Sequence, residues 1–111
     1  MLKILDGGLS MMPALRRVTD RLKRVNPNDA DQLDRACTSV IRLTGEGASA
    51  RGRNGAAKLQ QAHAEAQEGK LSVRIAVAKG YLDEADADVV EVLDKLDHMG
   101  AVLFKLVHRP R

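Results

Sequence analysis

The sequence predicts an all-α protein, an antiparallel up-down bundle of four helices, and three observations carry that expectation. Apolar residues recur every three or four positions through most of the 111 residues, the repeat of one helix face. Tyr81 and Phe104 are the only aromatic residues, so the core must be aliphatic and Ala-rich, which suits closely packed helices better than strands. Four amphipathic segments are separated by short connections, and short connections make sequential helices antiparallel. At this length one domain, residues 1–111, suffices to bury roughly two thirds of the unfolded surface.

The first helix is expected over about residues 2–24, with Leu5, Leu9, Met12, Leu15, Val18 and Leu22 on one face. Gly7, Gly8 and Pro13 oppose it, at about 1 kcal/mol for each glycine and about 3 for an interior proline. One kinked helix is the expectation. Asn26-Pro27-Asn28-Asp29 then reads as a turn, with Asn28 or Asp29 as the N-cap of a second helix over about 29–46. Its buried face is Leu33, Ala36, Cys37, Val40 and Ile41, and Gly45-Glu46-Gly47 weakens its end.

The stretch from Ala48 to Gly55 reads as a connection. The third helix, about 54–79, presents Ala56, Ala57, Leu59, Ala62 and Ala66, then Val73, Ile75, Ala76 and Val77. Small residues permit close helix approach, and Gly80 is a natural residue to end the helix before Tyr81. Asp83 or Asp86 is expected to cap the fourth helix, about 84–107, whose stripe is Val89, Leu93, Leu96, Val102, Leu103 and Leu106. Pro110 ends it.

The composition excludes several function classes. A single cysteine, Cys37, rules out an intrachain disulfide and, in an apolar helical stretch, reads as a small core residue. The opening MLKILDGGL is too short and polar for a secretory core, and no run approaches the roughly 18 apolar residues of a membrane span. A cytoplasmic protein with no membrane partner is expected. His63, His98 and His108 lack a Glu three residues upstream, so the ligand set of a di-iron bundle cannot be assembled. Neither HExxH nor CxxC occurs. No metal, cofactor or catalytic residue is expected, and the chain reads as a non-enzyme.

Charge is placed unevenly. Residues 1–58 hold 11 basic against 6 acidic residues, a net of +5, whereas 59–111 hold 7 against 9, a net of −2. Arg16, Arg17, Arg21, Lys23 and Arg24 cluster at the end of the first helix, more cations than capping a helix C-terminus requires. They suit either a phosphate-binding face or an ionic seam with Glu84, Asp86, Asp88, Glu91, Asp94 and Asp97 of the fourth helix. The sequence leaves open whether such a seam lies within one subunit or between two. Gly47 to Asn54 has the glycine spacing of a phosphate loop but lacks the preceding strand, the Lys and the hydroxyl. Arg51 and Arg53, with Lys58 behind them, remain candidates for phosphate contact. Nucleic-acid binding through these eight cations would be dominated by the backbone, since so few aromatic residues offer little base stacking. Glu46 and Glu68 sit in Ala- and Gly-rich surroundings where partial burial is expected, with Arg35 and Arg42 as available partners.

Three stretches, Gln32-Leu33-Asp34-Arg35-Ala36, Leu43-Thr44-Gly45-Glu46-Gly47 and Arg51-Gly52-Arg53-Asn54, carry a family resemblance. Together the chain resembles the bacterial four-helix-bundle family encoded by intervening sequences within 23S ribosomal RNA genes. Arg35-Ala36, Glu46-Gly47, Glu68 and Gly80-Tyr81 match that family's pattern in order; Ala64-Glu65 replaces its usual Gly-Ser, and Gly45 replaces an Ala. The resemblance implies structural roles for these matched residues and a ring-like homopentamer of antiparallel bundles. It also implies kinship with the accessory protein of diversity-generating retroelements, which binds nucleic acid and a reverse transcriptase. A structural homo-oligomer pairing basic and acidic faces of neighbouring subunits is the alternative expectation.

Overall fold

The computed structural model describes residues 2–50 and 52–108, the side chain of Leu2 excepted. Four helices follow one another: α1 (Leu2–Lys23), α2 (Pro27–Ser49), α3 (Gly52–Ala78) and α4 (Ala87–Val107). There is no strand among the described residues. Each helix packs antiparallel on its neighbour in sequence, and α1 closes the bundle against α4, giving a rod of 45 × 22 × 20 Å.

The buried positions explain why the helices align. The stripe positions are Ile4, Gly8, Met11, Leu15, Val18 and Leu22 in α1, and Ala30, Leu33, Cys37, Val40, Thr44 and Gly47 in α2. In α3 they are Ala62, Ala66, Gly69, Val73 and Ala76; in α4, Val89, Val92, Leu96, Met99 and Leu103. Along these stripes every step is three or four residues, the alternation that seats side chains of one helix between those of the next at a shallow crossing angle. Ala14, Ala36 and Gly100 are buried beside the stripes, and Gly55 is buried at the α2–α3 hairpin. The α3 stripe is made almost entirely of small residues. Bulk for that side of the core therefore comes from α4, with the Leu96 side chain lying over Gly69.

α1 is one helix through Gly7, Gly8 and Pro13. Pro13 lies on the exposed side, so the carbonyl that loses its donor faces solvent, while the buried stripe opposite continues unbroken. Gly8 is buried where a Cβ would sit 3.0 Å from Ile41 and Met99, so the smallest residue lets α1 settle between α2 and α4.

Two expectations at helix ends are corrected. The cap of α2 is Asn26, whose side chain accepts from the Asp29 N–H at 3.0 Å. Pro27 thus takes the first helical position, where its missing donor is harmless, and Asn28 and Asp29 lie inside the helix. The long connection over 48–55 does not form either: α2 runs on to Ser49 and α3 starts at Gly52. Gly52 turns the chain there with φ +65°, whereas Gly47 and Gly55 serve packing. Gly47 and Gly55 face each other so closely that a Cβ on Gly55 would lie 2.9 Å from the Ala50 carbonyl oxygen and 3.0 Å from that of Gly47.

The other two ends follow expectation. Gly80 has φ +80° and ends α3: its N–H donates to Val77 and the Tyr81 N–H donates to Ala76 (both 2.9 Å), the hydrogen-bond pair of a Schellman cap. Asp86, one of the two expected candidates, caps α4 by accepting from the N–H groups of Asp88 at 2.9 Å and Val89 at 3.3 Å.

Candidate nucleic-acid interface

The eight cations expected to contact phosphate do not form one face. Arg16, Arg17, Arg21, Lys23 and Arg24 lie at the end of α1, beside the start of α2, whereas Arg53 and Lys58 lie at the start of α3, beside the end of α2. In an antiparallel bundle those are opposite ends of a 45 Å rod. Arg51 lies outside the described residues.

Three of the eight are already engaged. Arg17 grips Asp88 with two hydrogen bonds, Nε to Oδ2 at 3.1 Å and Nη2 to Oδ1 at 3.0 Å. Arg21 reaches Asp86 at 2.8 Å and Asp88 at 3.4 Å. The seam between α1 and α4 therefore lies within one chain. It welds onto the α4 N-terminus, where Asp86 accepts from both the guanidinium and two backbone N–H groups. The hydrogen bond from Arg17, reinforced by its charge and by Arg21, holds the Asp88 carboxyl below its ordinary value of 3.8. At the opposite end, Lys58 pairs with Glu46 at 3.3 Å and ties α3 to α2 beside the glycine contact.

The remaining candidates stand at the surface. Arg16, Lys23, Arg24 and Arg53 are exposed and form no ion pair among the described residues. Arg16 and Asp20 share the outward side of α1 by their four-residue spacing, and Arg24 follows in the turn just after it. Lys23 overlooks a hollow that also holds Asp20, Asp31 and Asp34, so carboxylates temper its charge. Arg35 and Arg42, seven residues apart on α2, flank Thr38 and Ser39 on an exposed surface together with Asp31 and Asp34.

Burial of the two carboxylates singled out in the sequence is not found. Glu46 and Glu68 are exposed, and the Glu46 partner is Lys58 on α3. Arg35 and Arg42 are exposed and form no ion pair among the described residues. Two further bridges tie neighbouring helices: Lys79 to Asp29 and Lys70 to Asp97, both at 2.8 Å. Lys79 also stands 5.6 Å above the ring of Tyr81, which packs beside the α3 cap.

Cys37 is fully enclosed, and burial pushes its thiol up to about 12, so a thiolate nucleophile is not available at neutral pH. Asp94 and His98, which share a face of α4 as their spacing requires, border an open groove of about 560 Å³ between α1 and α4 with Lys3, Gly7 and Val90. Among the described residues no three His, Cys, Asp or Glu side chains gather in a way that would hold a metal ion. No described helix is long and apolar enough to cross a membrane.

One cluster escaped the sequence reading. Phe104 stacks on His108 at a centroid distance of 4.1 Å, and His63 of α3 approaches Phe104 at 5.8 Å. The four-residue step from Phe104 to His108 was visible in the sequence; the arrival of His63 depends on the register of α3 against α4.

No known family profile matches the chain, and no curated protein is similar to it in sequence. Among solved structures it is similar to a protein of unknown function from the S23 ribosomal protein family of Bacteroides thetaiotaomicron. The likeness has a TM-score of 0.82 at 17% identity and covers 95% of this chain and 98% of that one. What the two share is the fold. The four-helix bundle is thus a known arrangement over nearly its whole length.

Proposed function

We propose that this chain is a non-enzymatic bundle that works as a homo-oligomer in the cytoplasm and binds the backbone of RNA or DNA. The observation that carries the reading is the division of the cations. Arg17, Arg21 and Lys58 hold helices together, whereas Arg16, Lys23, Arg24 and Arg53 are left at the surface without a carboxylate partner among the described residues. Exposed cations at either end of the rod suit phosphates, whose contacts need charge and reach more than shape. Repetition of the exposed cations around a ring of copies, a pentamer on the family resemblance, supplies the multiplicity that single weak contacts lack.

Kinship with the proteins encoded by 23S ribosomal RNA intervening sequences belongs to the same proposal. It is supported by the order of Arg35-Ala36, Glu46-Gly47, Glu68 and Gly80-Tyr81 and by likeness in fold to an S23 ribosomal family protein. On this reading the partner is a ribonucleoprotein or a reverse transcriptase that the assembly helps to hold on its nucleic acid.

The test is the mass by light scattering with and without total RNA at about 50 mM and 200 mM salt, since backbone contacts release counterions and weaken steeply over that range. A defined oligomer that gains RNA at the lower salt and sheds it at the higher is the expected result. A monomer, or an oligomer indifferent to RNA at both, overturns the reading.

A second reading, a scaffold that binds other proteins through its helix faces, has one specific observation behind it. Leu71 (51% exposed) and Ile75 (42%) sit one turn apart on the outside of α3. An oligomer that forms but ignores RNA would favour it. The charge pairing once expected to join subunits is not its basis, because the Arg21 partners belong to the same chain.

A further inference from the structure

The aromatic cluster gives the proposed nucleic-acid reading a chemistry that charge alone does not. Phe104 is half exposed, unusual for one of the only two aromatic residues in a chain whose aliphatic core is closed. Its ring and that of His108 lie 29° from parallel at 4.1 Å, an offset stack that leaves His108 exposed. His108 ends α4, its backbone N–H donates to the Phe104 carbonyl oxygen at 3.0 Å, and its Nδ1 lies 2.9 Å from the same oxygen, within reach for the Nδ1–H tautomer to donate. His63 tilts against Phe104 from α3 at 52°, beside Gln67.

Phe104 and His63 border an open groove between α3 and α4 of about 530 Å³, within the roughly 300–1,000 Å³ of ligand sites, and His108 backs Phe104 from outside that lining. Gly100 and Ala101 keep its floor flat, and Gln67, Lys70, Asp97 and Lys105 provide its polar groups. Asp97 engages Lys70, so Lys105 stands as the cation without an ion pair there among the described residues. Apart from Phe104 the groove offers no large apolar side chain, too little for a helix of a second copy to bury.

We propose that the Phe104–His108 stack is a platform for an unpaired base of single-stranded nucleic acid. The base lies in the groove against Phe104, which His108 backs, Gln67 offers an amide that both donates and accepts toward its edge, and Lys105 meets the neighbouring phosphate. Planar aromatic rings stack on every base, so the platform is tolerant of sequence and selects single strands over duplex. The proposal rests on the backbone-binding reading above and adds a base-dependent part to it. It also adds to the expectation of little base stacking: Phe104 and two of the histidines are gathered in one place.

The experiment compares a fluorescent ten-nucleotide oligoadenylate with an abasic oligonucleotide of equal length, by anisotropy at about 50 mM salt, for the full chain and for Phe104→Ala and His108→Ala. The oligoadenylate is expected to bind on the order of 10-fold tighter than the abasic strand, the size of one aromatic–base stack. Phe104→Ala should remove most of that difference and leave abasic binding unchanged, with helicity and melting temperature near those of the parent because the side chain is half exposed. Equal affinity for the two strands, or a difference that survives both substitutions, overturns the platform and leaves backbone binding standing. Binding of neither strand overturns both. Dissociation of an assembly by Phe104→Ala also overturns the platform, since the ring would then be buried between copies.

Discussion

The two ends of the bundle drew attention for the same apparent reason, arginines among turn residues, and they are built on opposite principles. At the α2–α3 hairpin the glycines dominate. Gly47 and Gly55 bring two helix backbones together, Leu59 covers Gly47, and one exposed bridge, Lys58 to Glu46, crosses outside. At the α1–α4 end the charges dominate: two arginines converge on two aspartates, one of which is also the cap of α4. The difference teaches that a sequence cluster resembling a phosphate site can be a packing device or a clasp. What is left over after both have formed is the surface to consider for binding.

Contact between backbones should be the less forgiving of the two. An Ala for Gly in a helix normally adds up to about 1 kcal/mol of stability. At Gly55 the sign is expected to reverse, with a loss of about 1–3 kcal/mol in urea unfolding, because the new Cβ meets two carbonyl oxygens that cannot rotate away. A stabilised Gly55→Ala would mean that the hairpin is looser than described.

The clasp should fail more gently. Asp86→Ala removes the α4 cap and an Arg21 partner together, and about 1 kcal/mol is expected from the lost cap in thermal or urea unfolding. Arg21→Glu should lower the melting temperature without dissociating an assembly, since its partners are intramolecular; loss of assembly with an intact fold would return the seam to the subunit interface.

The smallest effect is one of pH. Asp88 is held below its ordinary value in the folded chain, so its contribution is fully present above about pH 4 and is lost as pH falls through the lower, folded value. In Asp88→Asn that step in the acid limb of a stability–pH profile should vanish, and an unchanged limb would dissociate the Arg17 contact from stability.

Most of the fold was legible from the sequence because a four-helix core repeats one physical requirement, an apolar residue every three or four positions. The legible part extended to Gly80, where a helix had to stop, and to Cys37, a small thiol among aliphatic neighbours. The hairpin was misread because glycines break helices in isolation, yet Gly47 and Gly55 sit where tertiary contact needs the missing Cβ. Asn26 was missed as a cap because the proline after it looked like part of the turn. For the site, each charge was visible but its partner was not. Arg17 and Asp88 are 71 residues apart, and only the register of α1 against α4 joins them. The same applies to His63 and Phe104 across α3 and α4.

The account's central claim is that Arg16, Lys23 and Arg24 bind phosphate while Arg17 and Arg21, interleaved with them, hold the fold. The direct measurement is the salt dependence of affinity for a single-stranded RNA, for the parent chain and for the triple variant Arg16→Ala, Lys23→Ala, Arg24→Ala. Each phosphate contact adds about 0.7 to the slope of log affinity against log salt, so the triple variant should lose about 2 from that slope while its melting temperature stays near the parent's. A variant with the parent's slope, or a parent whose affinity ignores salt, would contradict the claim.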